Sequence, residues 1–159
     1  MPKKDQRGLN LPEDLVAFLN SGRKLEYDAS RCECGRIGLL PLSSLEPGRV
    51  WVTPEFTALE ESDPHKGEEG YYEVPAVNLV GECPAYDPEF ILLWLPEDRL
   101  FGGWDSDHGI LIVFPDATWT DVVRDPLQYI QSQWDEDYCH VGRLFVPWPK
   151  YEFKPGRPF

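Results

Sequence analysis

Two continuous apolar runs, Phe90–Leu95 and Ile110–Phe114, form the strongest pattern along the chain. Neither run alternates apolar with polar residues, as a strand with one face in water would do. We therefore predict two central strands that are covered on both faces, with helices supplying one of the two covers. The residues between them, Gly102–Gly109, are interpreted as an acidic loop that contains glycines.

The first predicted helix begins at Asn10, which together with Glu13 three residues later resembles a capping box. Apolar residues recur behind this start at helical spacing and share one face: Leu11, Leu15, Phe18 and Leu19. Ser21–Gly22 is a typical end for such a helix. The pattern predicts an amphipathic helix that packs on the sheet.

Two consecutive short helices are predicted later, over about 118 to 124 and 126 to 134. Thr118 with Asp121 gives a second capping-box-like start. Asp125–Pro126 gives a third start, because aspartate suits the N-cap and proline the position after it. Trp119, Val122 and Tyr129 would then lie within reach of the sheet.

Shorter strands are predicted on either side of the central pair, at 36–40, 49–53, 71–80 and 143–146. Pro75 interrupts the third of these and requires an edge position or a bulge, because proline has no N–H to donate to a ladder. Pro41–Leu45 reads as a turn or a single helical turn. We expect residues 1–9 to be a flexible leader and the proline-rich aromatic tail 147–159 to pack along the body.

These elements predict one α+β domain over residues 1–159, with a mainly antiparallel sheet flanked by the N-terminal helix and the two short helices near 118–134. A chain of 159 residues buries a core without needing disulfides. Its four cysteines, Cys32, Cys34, Cys83 and Cys139, are expected to be free thiols. A zinc site at Cys32 and Cys34 is the alternative, and it would have to recruit Cys83, Cys139, His65 or His140 from other loops.

Charge narrows the classes of partner. Twenty-eight acidic side chains against 15 basic ones give a formal net charge of −13. Such a chain is repelled by nucleic acid and by anionic membranes, whereas a basic protein is attracted to it. The alternative is that the acidity serves only solubility. No apolar run approaches the roughly 20 residues of a membrane helix, so we expect a soluble, cytoplasmic protein.

The segment around Trp104 carries the best candidate chemistry. Asp105, Asp107, His108 and Asp116 form the best titratable cluster and could hold a divalent cation or perform acid–base catalysis. A small metal-dependent or hydrolytic enzyme that uses the Asp105, Asp107 and His108 loop is the alternative function. The rest of a catalytic or cation site is missing, so we expect neither catalysis nor a bound metal or cofactor. Trp104 itself reads either as a core side chain under the sheet or as an exposed anchor for a partner.

Two short motifs resemble a known family. Leu11-Pro12-Glu13-Asp14-Leu15-Val16-Ala17-Phe18-Leu19, followed by Gly38-Leu39-Leu40-Pro41-Leu42-Ser43-Ser44-Leu45, is similar to the opening of the SUKH superfamily of Smi/Knr-like domains. The resemblance implies an α+β domain with one mainly antiparallel sheet. In bacteria the family is associated with immunity proteins that neutralise toxins, many of them nucleases, and in fungi with regulation of cell-wall synthesis.

The resemblance and the charge together favour a non-catalytic domain that binds a basic protein, such as a toxin. Neither indicates an oligomeric state. The residues expected to meet the partner are acidic or lie beside acids: Trp104, Asp105, Asp107, His108, Glu60, Glu61, Glu68, Glu69, Asp135, Glu136 and Asp137.

Overall fold

A computed structural model describes residues 8–23, 25–26, 36–37, 39–53, 65, 68–79, 90–105, 109–125, 129, 143–145, 147 and 150–157. Its elements are α1 (Glu13–Asn20), a 3-10 helix (Leu42–Ser44), α2 (Trp119–Arg124), β1 (Leu25–Glu26), β2 (Arg36–Ile37), β3 (Gly48–Val52), β4 (Gly70–Asn78), β5 (Phe90–Leu95), β6 (Leu100–Asp105), β7 (Ile110–Phe114), β8 (Arg143–Leu144) and β9 (Phe153–Pro155).

The main sheet has the strand order β3-β4-β5-β6-β7-β8, and β9 joins it at β4. Every strand pair in it is antiparallel. Tyr72 of β4 is paired with both Val52 and Phe153, so β3 and β9 lie on opposite edges of β4. The prediction of an α+β domain with a mainly antiparallel sheet is confirmed. β1 and β2 form a separate two-stranded ladder.

Strands β5 and β7 are covered on both faces, as their apolar runs predict. Leu92 and Trp94 of β5 belong to one buried cluster, and Leu93 and Leu95 between them belong to another. Ile110, Ile112 and Phe114 of β7 likewise share the first cluster, whereas Leu111 and Val113 share the second. Successive side chains of a strand point to opposite faces, so both faces must be apolar.

Helices supply the cover on the first face. Leu15 and Phe18 of α1 are buried, and Phe18 meets Trp119 of α2 edge to face with ring centroids 5.4 Å apart. Trp119 in turn lies against Phe101 of β6, with centroids 5.6 Å apart. Burying side chains of this size stabilises by about 1.5–3 kcal/mol each, which fixes both helices on the sheet.

The second face is covered by the outer layer, which consists of β3, β4 and β9. Val50 and Val52 of β3 and Tyr72 and Val74 of β4 share a cluster with the side chains of β5 and β7 that point away from the helices. Burial along β4 alternates up to Ala76, but Val77 is also buried and packs in the helix-side cluster. One continuous strand therefore belongs to both layers.

The start of α1 differs from the prediction. The helix begins at Glu13 with Pro12 as N-cap, and no side chain caps it. Asn10 has a positive φ of 51° and donates its side-chain N–H to the carbonyl of Pro96, 3.2 Å away. The predicted capping box is wrong because Asn10 holds the turn between β5 and β6. The apolar face is confirmed, since Leu11 and Leu19 also pack on the core.

The start of α2 agrees with the prediction. Thr118 accepts a hydrogen bond from the backbone N–H of Asp121, and the Asp121 side chain accepts one from the Thr118 backbone, so the capping box is complete. Trp119 and Val122 are buried. The helix predicted over 126–134 lies outside the described residues except at Tyr129, which is helical and buried.

The interpretation of Gly102–Gly109 as a loop is wrong over its first half. Residues 102–105 belong to β6, which pairs with β5 on one side and β7 on the other. A Cβ at Gly102 would lie 2.8 Å from the carbonyl oxygen of Ile112. The glycine that suggested a loop instead permits close approach of a neighbouring strand.

Other predicted elements agree with the structure. The 3-10 helix lies within the predicted turn 41–45, and β3 covers most of 49–53. Pro75 lies inside β4, where Arg49 of β3 is its single ladder partner, so the strand is locally an edge as predicted. β9 and Tyr151 of the tail pack on the outer layer. None of the helices in the described part of the chain has the length and apolar character needed to cross a bilayer.

Candidate functional site

A groove of about 360 Å³ opens where β3 and β4 diverge from β5. Its floor is apolar and is formed by Val50, Ala76, Leu93 and Trp104. Polar residues from different elements stand around it: Ser44, Glu46, Arg49 and Asn78. An apolar floor with a few polar groups at the rim is the usual composition of a binding site in a protein.

Trp104 lies at the wall of this groove. It has features of both interpretations of its sequence, a core side chain and an exposed anchor. It is half-buried on β6 and packs at the margin of the outer-layer cluster. Its indole Nε1 donates to the carbonyl oxygen of Trp51 on β3 at 2.9 Å, and the two rings meet edge to face. The residue thus connects β6 to β3 and still contributes surface to the groove.

The C-terminal end of β3 is fixed on the turn between β6 and β7. The backbone N–H of Thr53 donates to the carbonyl oxygen of Gly109 at 3.0 Å. Gly109 has a φ of +68°, and a Cβ there would lie 2.2 Å from the ring of Trp51. Only glycine provides both this backbone conformation and this clearance.

Charged residues on β3, β4 and β9 form a small network beside the groove. Glu73 lies between Lys154 and Arg49, with one carboxylate oxygen 2.7 Å from the lysine Nζ and 3.0 Å from the arginine Nη1. The hydrogen bond from Lys154, and then that from Arg49, holds the pKa of Glu73 below its usual value. The same contact with Glu73 raises the pKa of Lys154.

This network makes stability depend on pH in the acidic range. Because the pKa of Glu73 is lower in the folded chain than its ordinary value of 4.5, its contribution is present above about pH 4.5 and is lost as the pH falls through the folded pKa. We expect Glu73→Gln to lower stability at neutral pH and to weaken the loss of stability on acidification. Urea unfolding between pH 3 and 7 measures this. Glu152→Gln, at an exposed carboxylate without an ion pair to a described residue, is the control. An equal change in the control would refute the role of Glu73.

The structure separates the predicted site residues that it describes. Glu68 and Glu69 are exposed and precede the start of β4, where Glu69 lies 3.4 Å from Arg157. The groove lies at the other end of β4. Because a strand rises by about 3.3 Å per residue, that end is roughly 20 Å away. Glu68 and Glu69 therefore do not share a site with Trp104.

The remaining predicted residues are mostly beyond the described chain. Asp105 ends β6 with its backbone opposite Ile110. Seven other predicted site residues lie outside the described residues: Glu60, Glu61, Asp107, His108, Asp135, Glu136 and Asp137. All four cysteines also lie outside them. Among the residues that are described, no three His, Cys, Asp or Glu side chains converge as a metal site.

Sequence reasoning missed the rim of the groove. Glu46 lies just before β3, Arg49 lies within β3, and Asn78 ends β4. These positions carry no shared motif, because the antiparallel pairing of β3 with β4 brings together segments that are distant in sequence. The one local signal is Pro75, which marks where β4 is paired on a single side.

Comparison of the chain with family models gives no match, and comparisons with curated proteins and with solved structures give none either. Function therefore has to be argued from the groove and from the distribution of charge.

Proposed function

We propose that the chain is a non-catalytic protein-binding domain of the immunity type, acting in the cytoplasm. Its acidic surface docks a basic protein, such as a toxin or nuclease, and blocks that partner's active surface. The observation that carries the proposal is an asymmetry between the basic and the acidic side chains on the described surface.

The basic side chains that the structure describes are all engaged within the chain. Arg49, Lys150, Lys154, Arg124 and Arg157 each lie within 4.0 Å of a carboxylate. The other two contact carbonyls or rings: Arg99 donates to the carbonyl of Asn10 and lies over Trp94, and Arg23 lies over Phe18. Each of these basic side chains therefore has a carboxylate, a carbonyl or an aromatic ring of the same chain as its partner.

Several acidic side chains, in contrast to most of the basic ones, have no ion-pair partner among the described residues. Five exposed carboxylates form no ion pair with a described residue: Glu13, Glu46, Glu97, Asp116 and Glu152. Glu13 begins α1 and the other four lie in turns or connections, so negative charge is spread over the surface. A net charge of −13 that is not balanced locally raises the encounter rate with a basic protein.

The resemblance to SUKH domains supplies the finer part of the proposal. That family's association with immunity to toxins agrees with an acidic domain whose partner is basic. Docking requires no catalytic group of its own, since occluding the partner's surface is sufficient for neutralisation.

The test uses the protein encoded by the neighbouring reading frame as the probe. We expect that protein to be basic and to bind the chain. Association should slow markedly from low to physiological salt, because the Debye length falls from about 30 to 8 Å. Stopped-flow or surface-based kinetics at several ionic strengths measures the rate constants.

A charge variant provides the control. Replacing the five exposed carboxylates by their amides keeps side-chain size and should slow association at low salt. Parent and variant should converge at about 1 M salt, where the Debye length is about 3 Å. A salt-independent rate, or no binding, would overturn the proposal. Metal-stimulated turnover that is lost on replacing Asp105 and Asp107 by Asn would establish the enzyme alternative instead.

A further inference from the structure

The edge of β3 that faces away from β4 is only partly satisfied. Near its C-terminal end, the carbonyl of Trp51 accepts from the indole of Trp104, and the N–H of Thr53 donates to Gly109. Both groups point away from β4. In an antiparallel ladder, alternate residues direct their backbone N–H and C=O groups to the same side. The backbone groups of Arg49 must therefore point to the same side as those of Trp51 and Thr53.

The partner of Arg49 confirms this direction. Arg49 lies opposite Pro75, and proline has no N–H with which to complete a hydrogen-bonded pair. The N–H and carbonyl of Arg49 are therefore turned away from β4, and among the described residues neither group has a hydrogen-bond partner outside the ladders. Arg49 also lines the groove. The residue whose backbone is open on this edge of β3 is therefore also a lining residue of the groove.

A strand edge that is open at one residue beside an apolar groove can accept an extended segment as a further strand at that position. Backbone groups of Arg49 would bind the backbone of the added segment. The alternate side chains of that segment would reach the floor at Val50, Leu93 and Trp104. Glu46 stands exposed at the rim without an ion pair to a described residue, so it favours a basic side chain in the segment.

We propose that the groove binds an extended, basic strand of the partner, which joins the edge of β3 at Arg49. The positive charge of the segment rests on the proposed function, but the strand addition rests on the backbone geometry of β3 alone. This assigns to the groove a partner of defined conformation, in which apolar and basic side chains alternate.

The test uses three synthetic peptides of eight residues. The first alternates valine and lysine, the second is the same peptide with alternate backbone amides methylated, and the third alternates valine and threonine. Methylation removes the N–H groups that strand addition needs and preserves charge and side chains. Binding to the isotopically labelled protein is followed by amide chemical shifts and by tryptophan fluorescence.

We expect the first peptide to shift the amides of Gly48, Arg49 and Val50 and to change the fluorescence of Trp104. Methylation should weaken binding at least tenfold. If the methylated peptide binds equally well, or if the shifts appear at Glu68 and Glu69 instead, strand addition at β3 is refuted. Those results leave the acidic docking surface intact.

The third peptide separates the two proposals. If it binds at the groove as tightly as the basic peptide, strand addition is supported and the role of charge fails.

A pair of variants tests the backbone contact: Arg49→Pro removes the N–H, whereas Arg49→Ala keeps it and loses the same side chain. We expect Arg49→Pro alone to abolish binding. Equal binding by the two variants would contradict the proposal, and if Arg49→Pro does not fold, the methylated peptide decides it.

Discussion

Gly109→Ala should destabilise the fold by about 2–5 kcal/mol, because a left-handed backbone and an overlap with an indole ring act together. Gly109 has a φ of +68°, and the new Cβ would lie 2.2 Å from the ring of Trp51. Relieving that overlap requires the indole of Trp51, or the strand β3 that carries it, to move away from the turn between β6 and β7. Urea unfolding, followed by tryptophan fluorescence, measures the loss.

Gly22→Ala is the matched control for this prediction. Gly22 has a similar φ of +73°, but no atom lies within 4 Å of its Cβ position. It should therefore cost only the backbone part, about 1–2 kcal/mol. Combining Gly109→Ala with Trp51→Ala should cost less than the sum of the two single changes. Equal losses at Gly22 and Gly109, or simple additivity, would show that the ring contact is unimportant.

Trp119→Ala should cost about 3–5 kcal/mol, the usual loss when a large aromatic side chain leaves a core. Trp119 is 2% exposed, and it joins α1 to the sheet through its contacts with Phe18 and Phe101. Its loss opens a cavity under both helices. Thermal and urea unfolding should both show the change.

Phenylalanine replacements sharpen this prediction. The indole N–H of Trp119 is buried without a hydrogen-bond partner among the described residues, so Trp119→Phe breaks no hydrogen bond to any of them. Trp94 is equally buried, but its Nε1 donates to the carbonyl oxygen of Leu9 at 3.0 Å. Trp94→Phe should therefore cost about 1–3 kcal/mol more than Trp119→Phe. The reverse order would refute the assignment of these two N–H groups.

The sequence predicts elements best where the local signal and the tertiary demand coincide. The apolar runs of β5 and β7 identify strands covered twice, since no side chain in them suits water. The Thr118 capping box marks the start of α2 because its two hydrogen bonds are local. Features of this kind depend on residues a few positions apart.

Elements that depend on distant neighbours are predicted wrongly from local patterns. Gly102 suggested a loop, but the close carbonyl of Ile112 explains it as a strand residue. Asn10 suggested a helix cap, but its side chain binds the turn at Pro96 instead. No local pattern could show that β3, β4 and β9 cover the second face. The groove beside Arg49 follows from that cover, and so it could not be predicted from the sequence.

The pairing of β4 with β9 also constrains the order in which the chain can fold during synthesis. The Glu73 carboxylate of β4 accepts a hydrogen bond from the Lys154 ammonium of β9, and the two residues are 81 positions apart. β4 therefore leaves the ribosome long before the strand that pairs with its starting end. Until β9 arrives, the edge of β4 is open at Tyr71, and nascent chains have to avoid pairing there with other chains. Such distant pairing also slows folding, so the outer layer is expected to be the last part of the domain to close.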